Sequence, residues 1–243
     1  MYQQHYENSF KCPICSNQTT PLLPIGSSFP VLTELNIIGA GNRLQKCHGC
    51  HSSDRDRLVY LYLIEKELLF QKQTKGYTIL HVAPEDCIAK IMLQNKWLNY
   101  IPIDSFEHGY NYPTYIRQMD LFELKLDDAS VDMVICNHVL QDVSDDEAAL
   151  REIYRVLKPK GHSILQVPIS PILSDNLESD VVLTLDECQK KYGQRFHKRI
   201  YSHKGYMHRL KNVGFNVIVE NLPETTTINC SINPAERLYI AIK

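Results

Sequence analysis

Long apolar runs are missing from this chain, and no stretch approaches the length needed to cross a bilayer. An excess of one charge is missing too. The 26 Lys and Arg stand against 28 Asp and Glu, so no global basic field advertises nucleic acid. The opening residues, MYQQHYENSF, lack the basic-then-apolar pattern of a secretory signal, and a cytoplasmic protein with no membrane partner is the expectation. Glycine is scarce, ten in 243 residues. No G-x-G-x-x-G fingerprint occurs, which argues against a nicotinamide-dinucleotide turn and a dehydrogenase. What remains is an ordinary globular composition, 44% hydrophobic and 22% charged, in a chain long enough for one full α/β domain and a small appendage.

Cysteine, by contrast, is present eight times. In a cytosolic chain thiols stay reduced and tend to serve metals. Cys12-Pro-Ile-Cys15 and Cys47-His-Gly-Cys50 are CxxC pairs separated by 31 residues. Two such knuckles supply four thiolates to one tetrahedral zinc, with Gly26, Pro30, Gly39 and Gly41 as turns for short hairpins between them. The rival reading, a redox dithiol, needs a strand-to-helix turn, and residues 10–41 carry no helical periodicity. His48 and His51 beside the second pair leave a mixed ligand set open. Arg43, Lys46, Arg55 and Arg57 crowd the same pair. They either neutralise the thiolates from behind, or Arg55 and Arg57 face a polyanion or an active site. Ile38–Gly41 looks like a phosphate loop only superficially, because no helix follows it. Cys87, Cys136, Cys188 and Cys230 lack ligand spacing and read as buried small hydrophobes. Residues 1–58 form the zinc-ribbon module on this reading.

From Asp54 a helical pattern runs through Leu58, Leu61, Tyr62, Ile64 and Leu68 to a break at 72–76. Thr78–Val82 reads as a strand, and Glu85 or Asp86 opens a helix with Ile88, Ile91 and Met92 inward. Asn99–Asp104 is a second strand ending in an acid about 20 residues after the turn, the spacing at which a carboxylate meets a ribose in dinucleotide folds. Pro102 is awkward inside it. A tyrosine-rich loop, Phe106–Tyr115, precedes a third strand at Ile116–Met119. Val131–Cys136 and His162–Val167 are buried parallel-type strands. Between them Ser144 and Glu147 make a capping box, Ala149, Ile153, Val156 and Leu157 form an apolar face, and Pro159 and Gly161 stop the helix after Lys158. Residues 170–191 are polar and acidic, too long for a plain connection, and read as an insert or lid. A last helix through Leu210 ends at Gly214, and strands at 215–220 and 237–242 complete the sheet.

In this order the signals resemble a class I S-adenosylmethionine-dependent methyltransferase of the type 11 kind, in a bacterial subgroup with an N-terminal CxxC/CxxC zinc ribbon and an LHVAPE first turn. The resemblance implies an α/β fold over residues 59–243: a Rossmann-like seven-stranded sheet with helices on both faces, and 170–200 as the acceptor-side insert or lid. It implies S-adenosylmethionine as cofactor beside a structural zinc on Cys12, Cys15, Cys47 and Cys50. Cofactor contacts would come from the first turn, where His81, Ala83, Pro84 and Glu85 stand in place of the usual acid and G-x-G-x-G. Asp104 would hold the ribose, Asp120 the adenine amino group, Leu121 the ring face, and Asn137 would complete the edge.

Asn137–Asp142 corresponds to the family's "NHVLEH" stretch, with Gln141 and Asp142 replacing the Glu-His pair. Gly193, Gln194, His197, Arg199 and Tyr201 match an "FGQ-x-D-H-V-R-x-Y" segment in which Phe196 replaces the acid. His138, Asp142, His197 and Tyr201 are the base candidates, and Gln194 and Arg199 the acceptor contacts. Alternation puts 197, 199 and 201 on one side of an extended segment; the plainer reading is that Arg199 pairs with acids of the insert and pins it. The acceptor would offer an oxygen or nitrogen nucleophile on a peptide, a small molecule or RNA, with near-neutral charge leaning away from RNA. The competing class is a non-catalytic zinc-ribbon adaptor on a methyltransferase-like fold, prompted by the glycine-free turn.

Overall fold

The structure, a computed structural model, describes residues 10–66, 76–106 and 110–243. The opening segment, the expected helix end at Leu68, most of the break at 72–76 and part of the tyrosine-rich loop lie outside the described residues. In place of the expected short hairpins, the N-terminal module has one antiparallel pair, β1 (Leu23–Ile25) with β2 (Arg43–Lys46). Between them lies a helix that periodicity did not announce, α1 (Pro30–Glu34), with Pro30 in its first turn. Five residues are too few to display a 3.6 period, and the preset φ of proline is the local signal. Gly26 has φ +87° and a Cβ there would stand 2.0 Å from the Gly41 carbonyl oxygen. The close approach of β1's end to the Ile38–Gly41 loop therefore requires glycine.

Helix α2 (Asp54–Glu65) begins with a capping box, Ser53 with Asp56. Its Leu58, Val59, Tyr62 and Leu63 pack into the core under the sheet, so the division drawn at residue 58 falls inside this helix. The sheet domain then runs β3 (Tyr77–Val82), α3 (Asp86–Gln94), β4 (Leu98–Asp104), β5 (Arg117–Gln118), β6 (Val131–Cys136), α4 (Asp146–Val156) and β7 (Leu157–Ile164). The insert follows with β8 (Ile169–Ser170), α5 (Leu185–Tyr192) and β9 (Tyr201–Ser202), and the chain closes with α6 (His203–Val213), β10 (Asn216–Glu220), α7 (Glu224–Asn229) and β11 (Leu238–Ile242). The seven-stranded order is β10-β11-β7-β6-β3-β4-β5. Strands β3 to β7 are mutually parallel, whereas β11 is antiparallel to both β7 and β10. The chain builds outward from β3 to β4 and β5, then jumps back to β6 on β3's other side. That reversal opens a crevice at the carboxyl ends of β3 and β6.

Period-two alternation explains the two covered faces. Leu80, Val82, Val134 and Cys136 point to α4 and α6, and Ile79, Met133 and Ile135 point to α2 and α3. Pro102 is tolerated because β5 pairs with β4 only at Ile103 and Asp104, leaving the proline beside an almost bare edge. Two expectations are corrected. The cap of α4 is Asp145, whose carboxylate accepts from the Ala148 amide at 2.8 Å, not the Ser144–Glu147 box. And β7 starts at Leu157 with no intervening turn; residues 158–161 bulge between the pairs Val131–Leu157 and Met133–His162, so Pro159 and Gly161 mark an irregular strand instead of a helix stop. The insert is no bare loop either. Thr184 and Glu187 cap α5, Gly193 ends it in a left-handed conformation, and Cys188, Tyr192 and Ile200 share an apolar cluster with Val31, Leu35 and Ile37 of the N-terminal module.

Candidate functional site

The four knuckle cysteines converge. Their sulfur atoms all lie within 4.8 Å of one another, with Cys12–Cys50 and Cys15–Cys47 at 3.6 Å. Four sulfurs at about 2.3 Å from a tetrahedral zinc sit about 3.8 Å apart, so the set fits that ion. His48 is turned away, its Nε2 2.8 Å from the Pro21 carbonyl oxygen. Behind the cluster Arg57 is fully buried and donates to the carbonyls of Gln45, Ser52, Cys230 and Ser231, a structural strut. Arg55, one turn position away, points elsewhere.

The carboxyl edge of the sheet carries the expected cofactor residues in order. Ala83, after β3, has φ +47°, the left-handed region a glycine turn would use, and alanine is the smallest side chain that can be forced there. His81 does not line the edge. It is buried beneath it, Nδ1 2.9 Å from the Tyr100 hydroxyl and Nε2 2.9 Å from Glu85 Oε2. Burial works to raise the Glu85 carboxyl, but the hydrogen bonds from His81 and Asn137 override it and hold the group below its ordinary value. Asn137 Nδ2 donates to Glu85 Oε1 at 3.3 Å, which leaves its buried Oδ1 without a partner at the end of β6. Asp104 ends β4 and accepts from the Phe106 amide at 3.4 Å. Asp120 is exposed and caps the Phe122 amide at 2.9 Å. Leu121 is packed in the sheet core instead of standing open to a ring. The left-handed turn, the carboxylate ending β4 and the orphaned Asn137 acceptor fit S-adenosylmethionine along this edge.

Next to it lies a cavity of about 240 Å³. Its floor is His138, Gln141 and Asp142 from the loop after β6, its outer wall Gln194 and His197 from the insert, and its remaining wall Gly39–Gly41, Arg43 and Arg55 from the N-terminal module. His138 has φ +54°, and both ring nitrogens are buried without a partner. Burial, with the charges of Arg55 and Arg43 and the nearby His197, drives its pKa well below the ordinary value, so the ring is neutral. His197 is lowered to about 4 by burial and Arg55, while burial pushes Asp142 up to about 7 against Gln141 and Arg199. Their separation, 3.6 Å, is contact between two weakly charged groups more than an ion pair.

Four of the expected residues, His138, Asp142, Gln194 and His197, thus meet around one space. Two do not. Tyr201 does lie on the same side as His197 but is fully buried, its hydroxyl donating its one proton to Asp146 at 2.5 Å, with the Leu140 carbonyl as a second acceptor at 3.1 Å. Burial and Asp146 raise its pKa well above the ordinary value, which removes it as a base. Arg199 spends every nitrogen on the fold: Glu178 at 2.6 Å and the carbonyls of Leu140, Val143 and Ser144. The plainer reading holds, and Arg199 with Arg209 clamps Glu178 of the insert to the buried Asp146. The Ile38–Gly41 loop and Arg43 were missed as wall residues, because only the tertiary fold brings a ribbon loop over the sheet edge. The arginine crowding was the available hint.

Residues 90–165 match the type 11 methyltransferase family, whose description is Methyltransferase domain. A curated relative, the arsenite methyltransferase of Aquipseudomonas alcaligenes, is 39% identical over 85 residues, 35% of this chain and 22% of that protein. The chain therefore aligns with a minor part of that relative's length. A solved structure of an S-adenosylmethionine-dependent methyltransferase from Mesorhizobium loti superposes with a TM-score of 0.52 at 16% identity, covering 80% of this chain and 100% of that one. At that identity the likeness speaks for the fold. Among the described residues no helix is long and apolar enough to cross a membrane.

Proposed function

We propose, from the premise that the sheet domain is a class I S-adenosylmethionine-dependent methyltransferase domain, that this protein methylates an oxygen or nitrogen of a small molecule or a single side chain held in the cavity between ribbon, insert and sheet. The observation that carries the reading is the adjacency of Asn137 and His138. Asn137 follows β6 at the edge assigned to the cofactor and carries a buried, unpartnered Oδ1, and His138 lines the cavity with an unpartnered ring, so the proposed cofactor and acceptor sides meet at a single peptide. When bound, S-adenosylmethionine supplies the methyl group and departs as a neutral thioether. The chain's own share is positioning, which carries much of an in-line displacement, and removal of the acceptor's proton. We assign that second task to His138, whose lone pair is free and whose basicity, depressed by burial and by Arg55 and Arg43, would recover toward the range of a general base once an acceptor offsets those charges; His197 and Asp142 would orient the acceptor. Ala83, Pro84, Glu85, Asp104, Asp120 and Asn137 would hold the cofactor, and His81 supports them through Glu85.

The cavity volume sits just under the range of small-molecule pockets, about 300–1,000 Å³, which favours a compact acceptor over a polymer groove. The four-cysteine cluster is assigned a structural zinc. Calorimetric titration with S-adenosylmethionine is the first test, with one site per chain expected; absence of binding would favour the non-catalytic adaptor. Incubating cell extract with methyl-labelled cofactor then identifies the product as small molecule, peptide or RNA.

A further inference from the structure

The cavity contains a cation that the fold leaves unused. Arg55 lies in the first turn of α2 between two acids, and neither pairs with it. Asp54 is taken by Arg43 in a two-pronged bond at 2.8 and 2.9 Å. Asp56 faces back to cap the Ser53 amide at 2.7 Å. Arg55 itself donates Nη1 to the Gly39 carbonyl at 2.9 Å, and its Nε is buried with no partner. Among the described residues it forms no ion pair, in contrast to Arg43, Arg199 and Arg209. Glu236, the acid beside Gly39, forms no ion pair with it: burial and Asp54 push that carboxyl up to about 8 against the pull of Arg55 and Arg43, and its Oε1 also lacks a partner. The two histidines of the cavity are neutral, and each is depressed in part by Arg55 itself. Asp142, at the rim, keeps 38% of its side-chain exposure.

A half-buried guanidinium whose Nε is buried with no acceptor is costly to keep unless something fills that donor. Its planar fork matches the two oxygens of a carboxylate or phosphate, and that complementarity is what distinguishes arginine from lysine at such sites. We propose that Arg55 anchors an oxyanion on the methyl acceptor, so that this protein acts on a small acceptor bearing a carboxylate or phosphate group. The assignment rests on the methyltransferase reading for the word acceptor, and on Arg55 alone for the anion. The ribbon thereby sets substrate charge, while the sheet domain sets the chemistry.

The experiment uses three ligands of one shape and different charge, benzoate, benzamide and benzamidinium, with phenyl phosphate as a second anion. Each is titrated into zinc-loaded full-length protein in the presence of S-adenosylhomocysteine, and the ring resonances of His138 and His197 are followed by NMR. Benzoate or phenyl phosphate should saturate and raise the pH at which His197 titrates, since an anion on Arg55 cancels the charge that depresses it. The tighter of the two identifies the oxyanion class. Arg55→Gln should weaken the anion by about tenfold to a hundredfold, and Arg55→Lys should retain part of the affinity. Should the glutamine variant fail to fold, the order of the three benzene ligands on wild-type protein still decides. Benzamidinium binding as well as benzoate, no saturable anion binding, or unchanged anion affinity in a folded Arg55→Gln would each overturn the assignment. Calorimetry with S-adenosylmethionine on the same samples separates the two readings: lost cofactor binding in wild-type protein defeats the methyltransferase reading and leaves the anion result standing.

Discussion

The sheet domain and the ribbon stay folded by different means. On the sheet, alternate residues of β3 and β6 feed two apolar clusters, one under α4 and α6 and one under α2 and α3. The ribbon's own core is Phe10, Leu22 and two of the knuckle cysteines. A cluster that small offsets little of the entropy of ordering a module of this length, and the rest falls to the packing of Val31, Leu35 and Ile37 against the insert and to the zinc proposed for the four thiolates. Yet the ribbon supplies the charged and glycine-lined wall of the cavity, and the sheet supplies the cofactor edge. The difference teaches why a metal-held module suits that duty. Its Gly39–Gly41 loop, the start of β2 and the first turn of α2 lie outside its small core, so they can present Gly39, Gly41, Arg43 and Arg55 toward a ligand.

The sharpest way to break this comparison is to remove the metal. Structural zinc contributes about 10–16 kcal/mol in small modules, so Cys12→Ser should abolish zinc binding and unfold the ribbon. Methyl transfer should disappear with the cavity wall, while S-adenosylmethionine affinity stays in the wild-type range. Metal analysis, calorimetry and a turnover assay on one preparation check this. Loss of cofactor binding together with the zinc would mean that the two regions fold as one unit.

Around the cavity the comparison narrows to two residues, His138 in its lining and Tyr201 buried behind it. His138→Asn keeps a residue tolerant of positive φ and should lower turnover by about a hundredfold to ten-thousandfold, the range for a lost general base, with cofactor affinity unchanged. Tyr201→Phe should do the reverse. It removes a buried hydrogen bond to Asp146 and Leu140, so it should cost about 1–2 kcal/mol of stability and leave turnover per folded molecule intact. A urea titration beside a rate measurement distinguishes them, and a Tyr201→Phe enzyme that is stable but slow would restore that tyrosine to the chemistry.

On the sheet side, Asp104→Ala should weaken S-adenosylmethionine by about 1.5–3 kcal/mol, the value of a hydrogen bond to a charged group. An unchanged dissociation constant would place the ribose on another group.

The apolar periodicities located β3, α3, β4, β6, α4 and the closing hairpin, because each presents a regular face to a large core. The convergence of the four cysteines was legible for the opposite reason, as a spacing rule that needs no core. The corrections fall where short-range signals compete. Ser144 and Asp145 both offer a side-chain oxygen to the start of α4, and Asp145 is the cap, with the Ser144 backbone held one position before that cap by Arg199 on its carbonyl. Pro159 and Gly161 read as stops, yet β7 absorbs them in a bulge. Tyr201 and Arg199 carried the right pattern and the right side, but a side chain's depth follows from packing that alternation does not encode. His138, in contrast, sits where the loop motif put it, and its isolation from partners emerges only from the folded surroundings.

The smallest expected effect concerns Glu236, at the seam of the two regions. Its carboxyl is pushed up to about 8 by burial and Asp54, against an ordinary carboxylate value of about 4.3 in an unfolded chain. The folded state therefore holds a proton that the unfolded state has released between those limits. Stability from this group is complete below about pH 4.3 and is lost as the pH rises through about 8, with a slope of at most about 1.4 kcal/mol per pH unit. The buried histidines act with the opposite sign. His197, lowered to about 4, binds its proton more readily in the unfolded chain, so its contribution grows from about pH 4 to about 6.5 and is constant above that. Asp142 shifts in the same direction as Glu236, but with 38% of its side chain exposed its share is screened. Between pH 6.5 and 8 the decline in stability should thus come chiefly from Glu236, and Glu236→Gln, which keeps the shape and removes the titration, should flatten it. Urea midpoints measured across that interval for both proteins provide the check. An equal slope in the variant would mean that Glu236 is already ionised in the fold, paired with Arg55, and that the cavity's cation is not free.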